Sequence, residues 1–260
     1  MIGTPIIIHV GKCGGSSVKS VLPDTYKTLH ATRPALGQNS KYVVVIRNPI
    51  DRFVSAFYHM YSAYSVCDTV NQEALNHIEK NTQRFNLYKT ANGLAEAIYD
   101  EEGKLNIDAH HLITRDDLPS VGIYIKADSG TTKTLIKTHT IMDLVNDEGI
   151  ETNQHMDNHL GMNIAWYIED LIKNQPESIV GVIRCEHIHG DVLSVLGFEC
   201  KERRNSHTLH DNWGKPYDDT LSDKAVNNLK RYLKKDYECL LTLKDLGLID
   251  EEYYNFCLTG

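Results

Sequence analysis

Lys12 sits in Gly11-Lys12-Cys13-Gly14-Gly15-Ser16-Ser17, and Arg47 opens the stretch Arg47-Asn48-Pro49-Ile50-Asp51-Arg52-Phe53-Val54-Ser55. Both stretches set a cation beside groups that bind oxyanions. Glycines lack a Cβ, so several backbone N–H groups can converge on one anion, while Ser16 and Ser17 add hydroxyls and Lys12 a full charge. Arg47 and Arg52 offer planar guanidinium groups suited to paired, charge-assisted hydrogen bonds with phosphate, and Ser55 adds a hydroxyl. Two such stretches about 30 residues apart fit one nucleotide carrying phosphate groups at two places. A mononucleotide triphosphate would need only the first. Plainer readings stay open: a structural glycine turn with a surface lysine, and arginines that serve Asp51 or a helix end.

The flanking residues supply the elements that would position these groups. Ile6 to Val10 is an unbroken apolar run, as expected of a strand buried on both faces of a parallel sheet. The glycine turn leads into a short helix with Val18, Val21 and Leu22 on one side, ended by Pro23, whose N-terminus would face the anion. Tyr42 to Ile46 predicts a second buried strand, Asn48 an N-cap and Pro49 the first helical position. That helix is expected to reach about Tyr64, with Arg52, Ser55 and His59 on one face and Phe53, Phe57, Met60, Tyr61 and Tyr64 making apolar contacts. Arg47 falls at a strand end, where open parallel sheets bind ligands. A nucleotide triphosphatase loop needs a hydroxyl directly after its lysine to hold magnesium. Here Cys13 follows Lys12 and the glycine pair comes after it, so that arrangement is not spelled.

Taken together, the two segments resemble the signature regions of the sulfotransferase family, which uses 3′-phosphoadenosine 5′-phosphosulfate (PAPS) as donor and releases 3′-phosphoadenosine 5′-phosphate (PAP). The resemblance implies a 5′-phosphosulfate loop made of Gly11, Lys12, Cys13, Gly14, Gly15, Ser16 and Ser17. It implies a 3′-phosphate site in which Arg47 acts with Ser55, eight positions on. Cys13 departs from the threonine or small polar residue of many members. A weaker third stretch, Ser178 to Glu186, resembles the late strand ending in glutamate that precedes a helix and a basic loop. Lys201, Arg203, Arg204, Asn205 and Ser206 would form that loop, with Arg204 the donor contact, or else an exposed basic turn. The family implies an α/β fold, a central parallel sheet flanked by helices in a P-loop-like architecture.

Sulfuryl transfer needs an in-line acceptor and a stabilised leaving oxygen, with little covalent help from the protein. Lys12 is the candidate for charge on the leaving oxygen. A base must take the acceptor's proton, and histidine, with an ordinary pKa of about 6.5, suits that at neutral pH. Composition cannot choose among 13 histidines. His30 lies between the two segments, where many sulfotransferases carry their catalytic histidine or glutamate at a strand end. His59, a turn beyond Ser55, is the second candidate; Asp108, His110 and His111 form a third group suited to acceptor or solvent. His155 with His159, and His187 with His189, match no metal-ligand pattern, and the chemistry requires no metal.

The formal net charge of −8 over 260 residues confines any basic surface to a local cleft, and neither nucleic acid nor membrane is an expected partner. One α/β domain over 1–260 accommodates this length, with 67–174 as the variable acceptor side. Cys13, Cys67, Cys185, Cys200, Cys239 and Cys257 show no close pairing, which points to reduced thiols; with a buried strand starting near Met1, the expected compartment is the cytoplasm. The middle region reads as helical stretches with a hairpin between Leu118 and Leu135, where Lys126, Lys133, Lys137 and His139 either line an acceptor pocket or are simply solvated. Near the C-terminus, Ser222 is expected to cap one helix with an apolar stripe of Ala225, Val226, Leu229, Leu233, Tyr237, Leu240 and Leu241, ended by Gly247. The expected activity is sulfuryl transfer from PAPS to a hydroxyl or amine, of a carbohydrate or small molecule for preference. The rivals are a P-loop-like nucleotide or small-molecule kinase and a non-catalytic nucleotide-binding module.

Overall fold

The computed structural model describes residues 4–37, 39–65, 79, 82–114, 123–126, 132–138, 141–146, 151–152, 158–200 and 218–259. The chain forms two compact units, Met1–Ala56 with Met162–Leu209 and Leu229–Gly260, and Phe57–Gly161 with His210–Asn228. The strands are β1 (Ile6–His9), β2 (Thr28–Leu29), β3 (Tyr42–Ile46), β4 (Ile123–Lys126), β5 (Thr132–Thr138), β6 (Ile141–Asn146), β7 (Glu151–Thr152) and β8 (Ile179–Arg184). The helices are α1 (Gly15–Lys19), α2 (Pro49–Ser65), α3 (82–88), α4 (Ala91–Ala97), α5 (Ile107–Thr114), α6 (Ile164–Asn174), α7 (Ile188–Leu196), α8 (Asp223–Tyr232), α9 (Lys234–Asp245) and α10 (Glu251–Thr259). Among the described residues no helix is long and apolar enough to cross a membrane.

The first unit is built on a four-stranded, wholly parallel sheet in the order β2-β1-β3-β8. The protein is therefore α/β, with helices flanking a central parallel sheet, as the two apolar runs predict. β3 is buried along its whole length, which its Tyr-Val-Val-Val-Ile sequence allows because neither face of a covered parallel strand meets water. Register places His9 beside Val45, and Val45 beside Ile183. The carboxyl ends of β1, β3 and β8 thus fall level, and the segments that follow them leave from one edge of the sheet.

Asn48 caps α2 as its sequence predicts, its Oδ1 accepting from the amides of Ile50 (2.9 Å) and Asp51 (3.4 Å). At the C-terminus Ser222 Oγ accepts from Ala225 N at 3.1 Å, and Gly247 adopts φ +70°. The single long helix expected between them is instead two, α8 and α9, parted at Leu233. Leu241, read as part of the apolar stripe, is 39% exposed. No glycine or proline marks the break. The new turn delivers Asp236, which is completely buried, to α6, where its carboxylate accepts from the first-turn amides of Ile164 (3.3 Å) and Ala165 (2.9 Å). Burial raises the Asp236 pKa to about 6, opposed by the Arg52 charge and by these two amides. Asp236→Ala strands both donors away from water, and urea unfolding is expected to show a loss of roughly 2–4 kcal/mol; a loss under about 1 kcal/mol would mean that water replaces the carboxylate.

The second unit holds a four-stranded antiparallel meander, β4-β5-β6-β7. Its first pair, with Ile123 opposite Leu135, is the hairpin expected before Leu135. β6 and β7 were not legible, since Ile141-Met-Asp-Leu-Val-Asn146 does not alternate and a paired neighbour decides its state. In the same unit Phe85 lies edge-on to Phe57 at 5.3 Å between ring centroids and stacks on Tyr61 at 5.6 Å.

Candidate active site

The residues from Val10 to Ser17 make a tight turn between β1 and α1. Positive φ occurs at Gly14 (+80°) and also at Lys12 (+67°), a side-chain-bearing residue that rarely adopts it. Gly15 is required for space: a Cβ there would sit 1.8 Å from His9 Cδ2. Gly14 is closed in by the late strand's exit, since an added Cβ would lie 3.1 Å from Ile188 Cδ1 and 3.2 Å from Cys185 Sγ. Cys13 faces inward; its amide donates to Val10 O (3.2 Å) and its buried thiol to Gly11 O (3.7 Å). Burial pushes that thiol well above its ordinary pKa. Ser16 is exposed and Ser17 buried. The amides of Gly15 and Ser16 stand in the first turn of α1, where a helix provides no acceptor of its own. With only five residues, α1 carries little dipole of its own, so what the turn could offer an anion is these amides and Lys12.

Lys12 is half-buried. Desolvation first, then the charges of Arg47 and Arg52, lower its pKa to about 8. Arg47 leaves the end of β3 and its Nη1 donates to Lys12 O at 3.5 Å. The structure therefore brings together the two cationic stretches that the sequence sets far apart. Ser55 lies buried on α2. Arg52, three positions before Ser55 on α2, is likewise buried, and its Nη2 donates to Met162 O.

Two residues frame the Arg47 segment that motif reading did not assign. Glu186 accepts from Asn48 N at 2.8 Å and from the Tyr253 hydroxyl at 3.0 Å. Burial and the Glu186 charge hold that phenol well above the ordinary tyrosine range. The position of Glu186 after a late strand was visible in sequence, but its partners were not.

His30 follows β2, one strand over from the loop. Its Nδ1 lies 3.2 Å from His9 O, and the two imidazoles stack with centroids 4.2 Å apart. In the second unit, His59 and His159 approach at 4.8 Å between ring centroids, and Asp108, His110 and His111 lie on α5. Lys126, Lys133 and Lys137 fall on β4 and β5. Arg204, the rest of 201–206, His139 and His155 lie outside the described residues. Among the described residues, no group of three or more His, Cys, Asp or Glu could hold a metal ion.

A parallel α/β sheet carrying a glycine–lysine turn at one strand end and an arginine at the next has a P-loop-like architecture. A model described as "Sulfotransferase family" matches residues 6–112, a span that takes in the turn, His30, Arg47 and Ser55. The likeness to the sulfotransferase family is thus shown over that span, and it supports sulfotransferase activity in general. No curated protein and no solved structure matches the chain.

Proposed function

We propose that this protein is a PAPS-dependent sulfotransferase, a single sulfotransferase-like domain over 1–260 whose acceptor side is 67–174. The observation that carries the reading is the junction of Arg47 with the Lys12 turn, 3.5 Å from Nη1 to Lys12 O. It sets two cations at the adjacent ends of β1 and β3, as a nucleotide with separate 5′ and 3′ anions requires. The fit extends to the backbone, because Gly14 holds a left-handed φ of +80° and the amides that follow lack helical acceptors.

When bound, PAPS supplies a sulfuryl group on a phosphate leaving group. Lys12, with the amides of Gly14, Gly15 and Ser16 and the Ser17 hydroxyl, holds the 5′ end, and Lys12 stabilises the charge that develops on the leaving oxygen. Arg47 and Ser55 hold the 3′-phosphate, with Arg204 the further donor contact that the family resemblance implies. His30 takes the acceptor's proton as the acceptor-to-sulfur bond forms and the sulfur-to-bridging-oxygen bond breaks, releasing PAP. The acceptor is a hydroxyl or amine, of a carbohydrate or small molecule for preference. Among the described residues Cys13, Cys185, Cys200, Cys239 and Cys257 form no disulfide, in keeping with a reducing compartment such as the cytoplasm.

Calorimetric titration with PAP, in chelator, tests the reading, with adenosine 5′-phosphate and ATP as controls. Micromolar binding that requires the 3′-phosphate is expected. Preference for magnesium ATP would make the protein a kinase, and PAP binding without turnover of PAPS toward any acceptor would make it a binding module.

A further inference from the structure

His9 is the last residue of β1, and its two neighbours give its ring an unusual position. On one side lies the backbone of the turn: a Cβ at Gly15 would fall 1.8 Å from His9 Cδ2 and 2.1 Å from Nε2, so the ring occupies the space a side chain at Gly15 would need. On the other side lies His30, stacked at 4.2 Å with 29° between ring planes. The His9 carbonyl also meets His30 Nδ1 at 3.2 Å. A carbonyl oxygen only accepts, so Nδ1 carries the hydrogen and the lone pair of a neutral His30 ring is on Nε2.

We propose that His9 is a positioning residue, whose ring spaces the His30 imidazole off the donor turn and whose carbonyl fixes Nε2 as the basic atom. The proposal rests on the reading of His30 as the base. The charged and titratable groups around His9 are His30 from the end of β2, Lys12 from the turn and Lys19 from α1; with burial the largest influence, they lower the His9 pKa to about 3. His9 therefore stays neutral at every working pH, and a proton arriving on His30 meets no second imidazolium in the stack. Tyr167 steadies the residue after His30, its hydroxyl accepting from Ala31 N at 3.3 Å.

Long-range ¹H–¹⁵N NMR on the unmodified protein with PAP bound tests the assignment without any substitution. The neutral His30 ring is expected as the Nδ1–H tautomer, and His9 neutral down to pH 5. A His30 ring in the Nε2–H form, or a His9 that titrates near neutrality, would overturn the proposal. Kinetics give the second arm, read as PAP released from PAPS with water as acceptor. His9→Ala is expected to lower the rate about 10- to 100-fold with PAP affinity within about threefold, and His9→Phe, which restores a ring in the gap, to recover most of the loss. Equal loss of rate and PAP affinity would show a merely structural ring, and an unchanged rate in His9→Ala would remove the positioning role. His30→Ala separates the two levels: full rate in that variant sinks the base assignment itself, whereas a crippled His30→Ala beside a normal His9→Ala sinks only the present proposal.

Discussion

Lys12→Ala is expected to lower turnover of PAPS by about 10²- to 10³-fold, the range found when one preorganised charge-stabilising group is removed. The lysine is half-buried and crowded by two arginines, so its charge acts in a setting where water screens little. PAP affinity is expected to fall much less, because the amides of the turn remain. The same crowding gives a pH signature. A lysine with its pKa lowered to about 8 is protonated below that value and loses its charge as pH rises through it. The kcat/KM for PAPS should therefore fall on the alkaline side from about pH 8, and that limb should vanish in Lys12→Ala. A rapid-quench assay across pH 6–10 reads both effects, and turnover within threefold of the unmodified protein would strike Lys12 from the chemistry.

Arg47→Ala is expected to act on binding instead. A bidentate guanidinium–phosphate contact contributes roughly 2–4 kcal/mol net, so PAP should bind about 10²-fold more weakly or worse. Adenosine 5′-phosphate, which lacks the 3′ group, should be indifferent to the change. That contrast matters because Arg47 also donates to Lys12 O. If both nucleotides weaken equally, Arg47 supports the turn, and the 3′-phosphate assignment is lost.

Much of the candidate donor site was legible because its signals are local. An apolar run, a glycine turn and a serine pair announce β1, the turn and α1; Asn48 and Pro49 announce α2. What escaped depends on residues far apart in the chain. Gly15 reads as a flexible residue, yet its φ is not positive and its need is for space beside His9. Arg52 shares a helical face with Ser55 as a wheel predicts, but its bond to Met162 O joins residues 110 positions apart and could not be read locally. The apolar stripe from Ala225 to Leu241 is good enough for one helix, and only the amides of α6 reveal why Asp236 turns inward at a break. β6 depends on a neighbouring strand for its state, which composition does not encode. The Glu186 contacts reach 138 positions to Asn48 and 67 to Tyr253, beyond any periodicity.

That last triad also sets an order of events. Asn48 is held by a carboxylate 138 positions further along the chain, and that carboxylate by the Tyr253 hydroxyl 67 positions beyond it. Pairings so distant form late and slow the search for the native state. The frame around Arg47 is therefore complete only when α10 docks, and on the function proposed above PAP, by binding the finished frame and not the unfinished chain, would pull that step forward by mass action.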